Sequence, residues 1–270
     1  METNRKLLFF DIDGTLLTPY PWTVPDSARK ALKEAHANGH LIFINSGRIY
    51  AMIPSIIKEM GFDGYVCGCG SQIYMNDKLL FSSMIPNDLC RETIEKLRQC
   101  KVPAFFEHPD KLLYDSKAPT LPETILNLKS EVEVEDLALY TPEIYHTFSF
   151  AKFLAFPDAD SDTETFREFV DKHFSCFIHD DAAWEITQKH CSKATGIQFL
   201  AEKLNVSVEN TFAFGDSTND LPMLQYAGNS IAMGHCDPLI LPHCTYQTSD
   251  ILDNGIANAL KHFHLIPQSI

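Results

Sequence analysis

Wholly apolar runs of four or five residues alternate with helical periodicity through the first part of the chain. Leu7 to Phe10 is such a run, which predicts a strand buried on both faces of a sheet. Pro25 and Asp26 then open a helix with Ala28, Ala31, Leu32 and Ala35 on its apolar stripe, and Gly39 stands where a C-terminal glycine belongs. Leu41 to Ile44 predicts a second strand, Tyr50 to Met60 a second helix stopped by Gly61, and Tyr65 and Val66 a third strand. From about Pro86 to Trp184 the pattern is mixed. Acidic and apolar residues alternate from Glu131 to Leu139, with Val132, Val134 and Leu137 on the apolar positions. Phe148, Phe150, Phe153 and Phe156 mark a strand-like stretch, Thr163 to Phe174 a helix, and Cys176 to Ile178 a strand. The first pattern then returns. Ile197, Leu200, Ala201 and Leu204 make a helical stripe, Thr211 to Phe214 and Ile231 to Met233 are strands, and Ile251 to Phe263 is a closing helix. The expected fold is α/β: a parallel-sheet core from residues 1–84 and 188–270, with an α+β unit of residues 85–187 inserted into it.

Composition narrows the function classes. A formal net charge of -14 on 270 residues, with no basic run, argues against nucleic acid and anionic membrane as partners. No stretch approaches the length of an apolar membrane span, and Asp11 interrupts the first apolar run too early for a signal-peptide core. Eight cysteines are present without a Cys-x-x-Cys pair, so free thiols in a reducing cytoplasm are expected rather than zinc or a disulfide framework. Nothing in the sequence reports oligomeric state.

Four short segments carry candidate chemistry. Asp11-Ile12-Asp13-Gly14-Thr15 follows the first strand, at the carboxyl end where open α/β sheets bind ligands. Residues two apart in extended chain point the same way, so both carboxylates can face one site; an ordinary acidic turn is the plainer alternative. Gly215-Asp216-Ser217-Thr218-Asn219-Asp220 follows another strand and adds two carboxylates. Such a cluster needs a cation or a proton to relieve repulsion, and hard oxygen donors suit Mg²⁺. Asn45-Ser46-Gly47-Arg48 ends the second strand, where a hydroxyl and a backbone N–H can hold a phosphoryl oxygen or simply cap a helix. Lys193 precedes the stripe at Ile197, as a point charge for phosphate or as a solvated lysine.

Together and in this order, the four segments resemble the haloacid dehalogenase-like phosphatase superfamily, and the inserted unit resembles the large α+β cap (type C2B) of its Cof-type subfamily. The resemblance covers essentially the whole chain and implies a Rossmann-like core. It implies that Asp11 is the nucleophile and a metal ligand, and that Asp13 is the general acid/base, with its main-chain carbonyl on Mg²⁺. It implies that Ile12, Ser46, Gly47, Lys193 and Asn219 hold the phosphoryl group, that Asp216 completes the metal ligands, and that Asp220 supports them. The expected activity is Mg²⁺-dependent hydrolysis of a small phosphorylated metabolite, with sugar phosphates the first choice, through an aspartyl-phosphate on Asp11. A phosphomutase with the same residues and a phosphate-binding protein without turnover are the alternatives. Three positions depart from the family pattern: Ser46 replaces a common threonine, Cys69-Gly70-Ser71 stands where Asn-Gly-Ala is frequent, and Ala194 follows Lys193 where glycine is usual. Trp184 and Glu185 are candidate contacts to the leaving group, with core packing the alternative for the tryptophan; His108, His179 and Asp180 are weaker candidates.

Overall fold

The computed structural model describes residues 5–118, 133–179 and 182–268. The chain forms two compact units. The first comprises Met1–Gly47, Pro54–Leu80 and Ser192–Ile270; the second comprises Arg48–Ile53 and Phe81–Cys191.

In chain order the strands are β1 (Leu7–Phe10), β2 (Leu41–Asn45), β3 (Gly64–Cys67), β4 (Gln72–Met75), β5 (Lys78–Ser82), β6 (Ala104–Glu107) and β7 (Leu112–Tyr114). They continue with β8 (Val134–Asp136), β9 (Lys152–Ala155), β10 (Phe174–Ile178), β11 (Trp184–Gln188), β12 (Thr211–Gly215), β13 (Asn229–Ala232) and β14 (Tyr246–Gln247). The helices are α1 (Asp26–Ala37), α2 (Ser55–Lys58), α3 (Asn87–Gln99), α4 (Pro142–Tyr145), α5 (Thr163–His173), α6 (Lys193–Leu204), α7 (Leu221–Tyr226) and α8 (Gly255–His262).

The sheet that begins with β1 has the order β14-β13-β12-β1-β2-β3-β4-β5. Its strands are parallel from β14 to β3, and β4 returns antiparallel to β3. All four residues of β1 are fully buried, as a strand in the middle of such a sheet must be. Phe10 stacks on Phe214 at 4.4 Å and Phe9 on Phe43 at 5.1 Å between ring centroids. Each such buried ring contributes roughly 1.5–3 kcal/mol. The register matters for function. Phe10 is level with Ile44 of β2 and Phe214 of β12, so the next residues, Asp11, Asn45 and Gly215, leave three adjacent strands at the same height.

The second unit has its own sheet, ordered β10-β11-β9-β6-β7-β8. One face packs against helices: Ile94 and Leu97 of α3 and Phe166, Phe169 and Val170 of α5 join Phe106, Phe153 and Ile186 in one buried cluster. On alternate positions, Phe105 and Leu112 pack with Ile49, Ala51 and Met52 instead.

The structure corrects the sequence reading in two elements. Tyr50 to Met60 is not one helix. A 3₁₀ turn at Tyr50–Met52 is separated from α2 by Ile53 in an extended conformation (φ -70°, ψ 121°). Pro54 causes the break, since it disfavours helical geometry in the residue before it. The segment Arg48–Ile53 clusters with the second unit, outside the insertion expected at residues 85–187. Likewise, Asn254 is left-handed (φ 63°) and divides the closing element into a 3₁₀ turn, Ile251–Asp253, and α8. Of the alternating stretch, Val134 lies on β8 and Leu137 opens a 3₁₀ turn, while Glu131 and Val132 lie outside the described residues, as does Asp180. None of the eight cysteines is in a disulfide. Among the described residues no helix is long and apolar enough to cross a membrane.

Candidate active site

Within the first unit, three strand ends and one helix start supply the candidate residues. Asp11 leaves β1, and its backbone N–H donates to the Phe214 carbonyl at 3.0 Å, which holds the turn against β12. Its side chain is almost fully buried, whereas Asp13 is exposed. Gly14 has φ +80°, and a Cβ built there would lie 2.4 Å from Asp216 Oδ2. A side chain at position 14 would therefore be strained and would displace a carboxylate.

Lys193 is the centre of the arrangement. It is 1 % exposed, so the solvated reading is excluded. Its Nζ donates to Asp11 Oδ1 at 2.7 Å, to Asp220 Oδ1 at 2.5 Å and, more weakly, to Asn219 Oδ1 at 3.4 Å. The sequence places it well for this. Ser192 caps α6 by accepting from the Thr195 N–H, and the Thr195 hydroxyl accepts from the Ser192 N–H, so Lys193 emerges at a fixed first turn. Asn45, at the end of β2, donates to the Lys193 carbonyl at 2.9 Å. Burial works against the Lys193 charge, but Asp11 and Asp220 outweigh it and hold the ammonium well above its ordinary range.

Asp220 has no free oxygen. Oδ1 accepts from Lys193, and Oδ2 accepts the N–H groups of Asp216 and Ser217 at 2.9 and 3.2 Å. Its role is to hold the lysine and the turn. Asp216 accepts a hydrogen bond from Thr15 at 2.8 Å, which ties the two acidic turns together. Ser46 is buried; its N–H donates to the Val66 carbonyl at 2.9 Å, and its own carbonyl accepts from Cys69 at 3.1 Å. Asn219 also accepts from the Ser217 hydroxyl at 2.8 Å.

The electrostatics favour a cation. Carboxylate oxygens of Asp11, Asp216 and Asp220 lie within 4.8 Å of one another. Burial raises the Asp11 carboxyl well above its usual range, with Asp220, Asp216 and Asp13 adding to the effect and Lys193 opposing it. Burial, then Asp220, pushes Asp216 up to about 7. One lysine does not compensate this cluster. With Asp220 fully engaged, Asp11 and Asp216 are the side chains left to bind a hard cation. That is the small carboxylate set Mg²⁺ favours, its remaining positions going to water, backbone oxygen and phosphate.

A pH dependence follows. A carboxyl whose folded value is raised binds more protons folded than unfolded between the two values, so stability falls as pH rises through that window. Without metal, the protein should lose on the order of a few kcal/mol from these groups between about pH 4 and 7. Thermal denaturation in chelator checks this. Asp216→Asn should melt higher than wild type at pH 8, with the difference shrinking toward pH 5. A difference independent of pH would contradict the assignment of Asp216 as a raised carboxyl.

The remaining sequence candidates lie in the second unit. Trp184 is 7 % exposed and stacks on Phe166 at 5.8 Å, in the helix-side core. It lies in the buried cluster of that unit. Glu185 is also buried and is paired with Lys152. His179 lies 3.4 Å from Glu185, and His108 is 3.8 Å from Asp110. The sequence reading passed over Thr15 and Asn45, although both stand inside or beside the motifs it used. Neighbouring polar residues at a strand end were the available signal.

Comparison with known proteins places these residues in a wider context. The model of a family described as haloacid dehalogenase-like hydrolases matches residues 8–260. YkrA of Bacillus subtilis is 28% identical over 265 residues, covering 97% of this chain and 99% of its own. The pyridoxal phosphate phosphatase YbhA of Escherichia coli is 25% identical over 282 residues, covering 97% of this chain and 100% of its own. Among solved structures, the subclass IIB sugar phosphatase BT4131 is 25% identical with a TM-score of 0.81, covering 97% of this chain and 100% of its own.

Proposed function

The chain belongs to the haloacid dehalogenase-like hydrolase family, and we propose that it is a Mg²⁺-dependent phosphatase that hydrolyses small phosphate monoesters through an aspartyl-phosphate on Asp11. The observation that carries this reading is the buried Lys193 ammonium held between Asp11 and Asp220, beside Asp216. A cation fixed against a carboxylate at a strand end has no packing purpose that would repay its desolvation. It suits a site that receives a dianion. The named activities of the relatives, on pyridoxal phosphate and on sugar phosphates, support the same class of substrate.

In this reading the Asp11 carboxylate attacks phosphorus in line, and the alkoxide leaves with a proton from Asp13. Asp13 then takes a proton from the water that attacks the acyl-phosphate, releasing inorganic phosphate and regenerating Asp11. The Ile12 N–H, Ser46, Gly47, Lys193 and Asn219 hold the phosphoryl oxygens, and Asp220 keeps Lys193 in position. Asp11, Asp216 and the Asp13 carbonyl would bind Mg²⁺, which offsets the charge of the phosphate and of the nucleophile. Asp13 is the residue that makes a hydrolase, because the second step needs a base. The second unit, with Glu185 in its buried polar cluster, is proposed to select the ester, and a reducing cytoplasm is the proposed setting.

Phosphate release from a panel of monoesters tests the reading. Release should require Mg²⁺, vanish on exhaustive chelation and return on adding the metal. Ca²⁺ should not restore it, since its longer bonds and higher ligand number favour bidentate carboxylates and would tie up the attacking oxygen of Asp11. Undiminished release after chelation would contradict the metal assignment. No release from any ester would contradict the activity.

A further inference from the structure

The first unit carries a polar cleft formed by none of the candidate active-site residues. It lies between α1 and α8, has a volume of about 310 Å³, and is lined by Ser27, Lys30, Asn254, Ala257, Asn258 and Lys261. Both helices belong wholly to the first unit. Ser27 and Lys30 are three apart on α1, and Asn254, Ala257, Asn258 and Lys261 follow at intervals of three and four along α8 and its cap, so each helix presents one face to the cleft. The helices run in the same direction. Their starts meet at the cleft, and just past their ends Asn38 donates to the Leu265 carbonyl at 2.9 Å. Ala257 is buried, Ser27 and Lys261 are half-buried, and Lys30, Asn254 and Asn258 are exposed.

The charge in this cleft has one sign. Acidic residues outnumber lysine and arginine 36 to 22 in the chain, yet two lysines and no carboxylate line the cleft. Asp26 and Glu34 stand one turn to either side of Lys30 on α1, but neither Lys30 nor Lys261 makes an ion pair or a side-chain hydrogen bond with any described residue. Two ammonium groups from distant parts of the chain therefore converge on one space without a counter-charge. The backbone adds to their field. Neither Pro25 nor Asn254 caps its helix through a side chain, so the positive ends of α1 and α8 meet at the same place. Asn258 Nδ2 donates to Ser249 Oγ at 2.7 Å and to the Asp253 carbonyl at 3.1 Å, which leaves Asn258 Oδ1 as an acceptor.

We propose that this cleft is a second anion site, which binds a phosphate dianion: inorganic phosphate or the phosphoryl group of a small monoester. Two lysines supply two point charges, which match a dianion and suit phosphate without the planar fork of a guanidinium. The volume of about 310 Å³ lies at the lower end of small-molecule sites. Ser27 and Asn254 carry donors for phosphoryl oxygens, and Asn258 Oδ1 accepts from a hydroxyl of an ester. A nucleic acid or an anionic membrane would meet the whole net charge of -14. A small anion inside the cleft responds to the charges within a Debye length, and those nearest it are positive. None of the lining residues takes part in the proposed hydrolysis, so the site stands or falls apart from that reading.

A chemical-shift titration of the full chain by NMR, at low ionic strength and with chelator present, tests the proposal. Inorganic phosphate and glycerol 3-phosphate are the two probes. At least one should shift the backbone amides of Ser27, Lys30, Ala257 and Lys261 saturably, and NaCl at matched ionic strength should not. Binding of inorganic phosphate as tight as that of the ester, or tighter, assigns the site to phosphate itself; tighter binding of glycerol 3-phosphate assigns it to a monoester. Lys30→Gln/Lys261→Gln preserves helix propensity and should weaken binding at these amides by about tenfold or more. Any shifts around Asp11 and Ser46 should keep their midpoint in that variant. Ser27→Asp is a second route. It places an acid in the first turn of α1, where the helix tolerates it well, and sets a negative charge in the cleft, so binding should again fall by about tenfold. A circular-dichroism melt verifies that both variants fold. Unchanged affinity in either variant, equal shifts with NaCl, or shifts confined to the loops of Asp11 and Ser46 overturn the proposal.

Discussion

Replacing Asp11 by Asn is expected to lower turnover by about 10³-fold or more while the protein stays folded. The amide is close in size to the carboxylate and its oxygen can still accept from Lys193 Nζ, which stands 2.7 Å from Asp11 Oδ1. The substitution also removes one charge from the cluster with Asp216 and Asp220, so packing gives no reason for collapse. What disappears is the proposed anionic nucleophile, because a neutral amide oxygen forms no stable bond to phosphorus. Steady-state phosphate release together with a thermal melt checks both halves of the expectation. A folded variant with near wild-type turnover would remove Asp11 from the chemistry.

Replacing Lys193 by Met is expected to cost both activity and stability. The lysine is the only described cation hydrogen-bonded to Asp11 and Asp220, and both it and Asp220 are essentially inaccessible. Removing one partner of a buried ion pair typically costs about 3–5 kcal/mol, because the other charge is left without compensation. Here the loss should deepen as pH rises. Asp11 is already raised above its ordinary range by burial, and without the lysine it would be protonated still more readily at low pH. Adding Asp220→Asn to Lys193→Met should restore part of the stability and none of the turnover. That non-additivity is the signature of a direct pair. Equal stability of wild type and the single variant across pH 5–8 would contradict it.

The core of the site was legible in the sequence for a physical reason. A buried parallel strand reads as an uninterrupted apolar run, so its end is marked by the first polar residue. Asp11 and Asp216 stand at such ends, and the parallel register then brings Asp11, Asn45 and Gly215 level. Lys193 was legible only by resemblance, since nothing local distinguishes a buried lysine from a surface one before its partners are placed. The helix expected from Tyr50 to Met60 failed at Pro54, which outweighed an otherwise helical pattern. Trp184 and Glu185 are adjacent on β11 and so point to opposite faces, the first into the helix-side core and the second toward Lys152. The buried ion pair of Lys152 with Glu107 in the second unit gave no signal at all. Its members lie on different strands far apart in the chain, and only the antiparallel register of β6 and β9 makes them neighbours.

The central claim is that phosphoryl transfer passes through Asp11 in two displacements. The stereochemical course at phosphorus tests it most directly, using an isotopically chiral phosphate monoester and an isotopically distinct acceptor. Each in-line displacement inverts the configuration, so transfer to Asp11 followed by transfer to the acceptor yields net retention. Net inversion would mean a single direct attack on the ester, with Asp11 serving the metal or the water but never carrying the phosphoryl group.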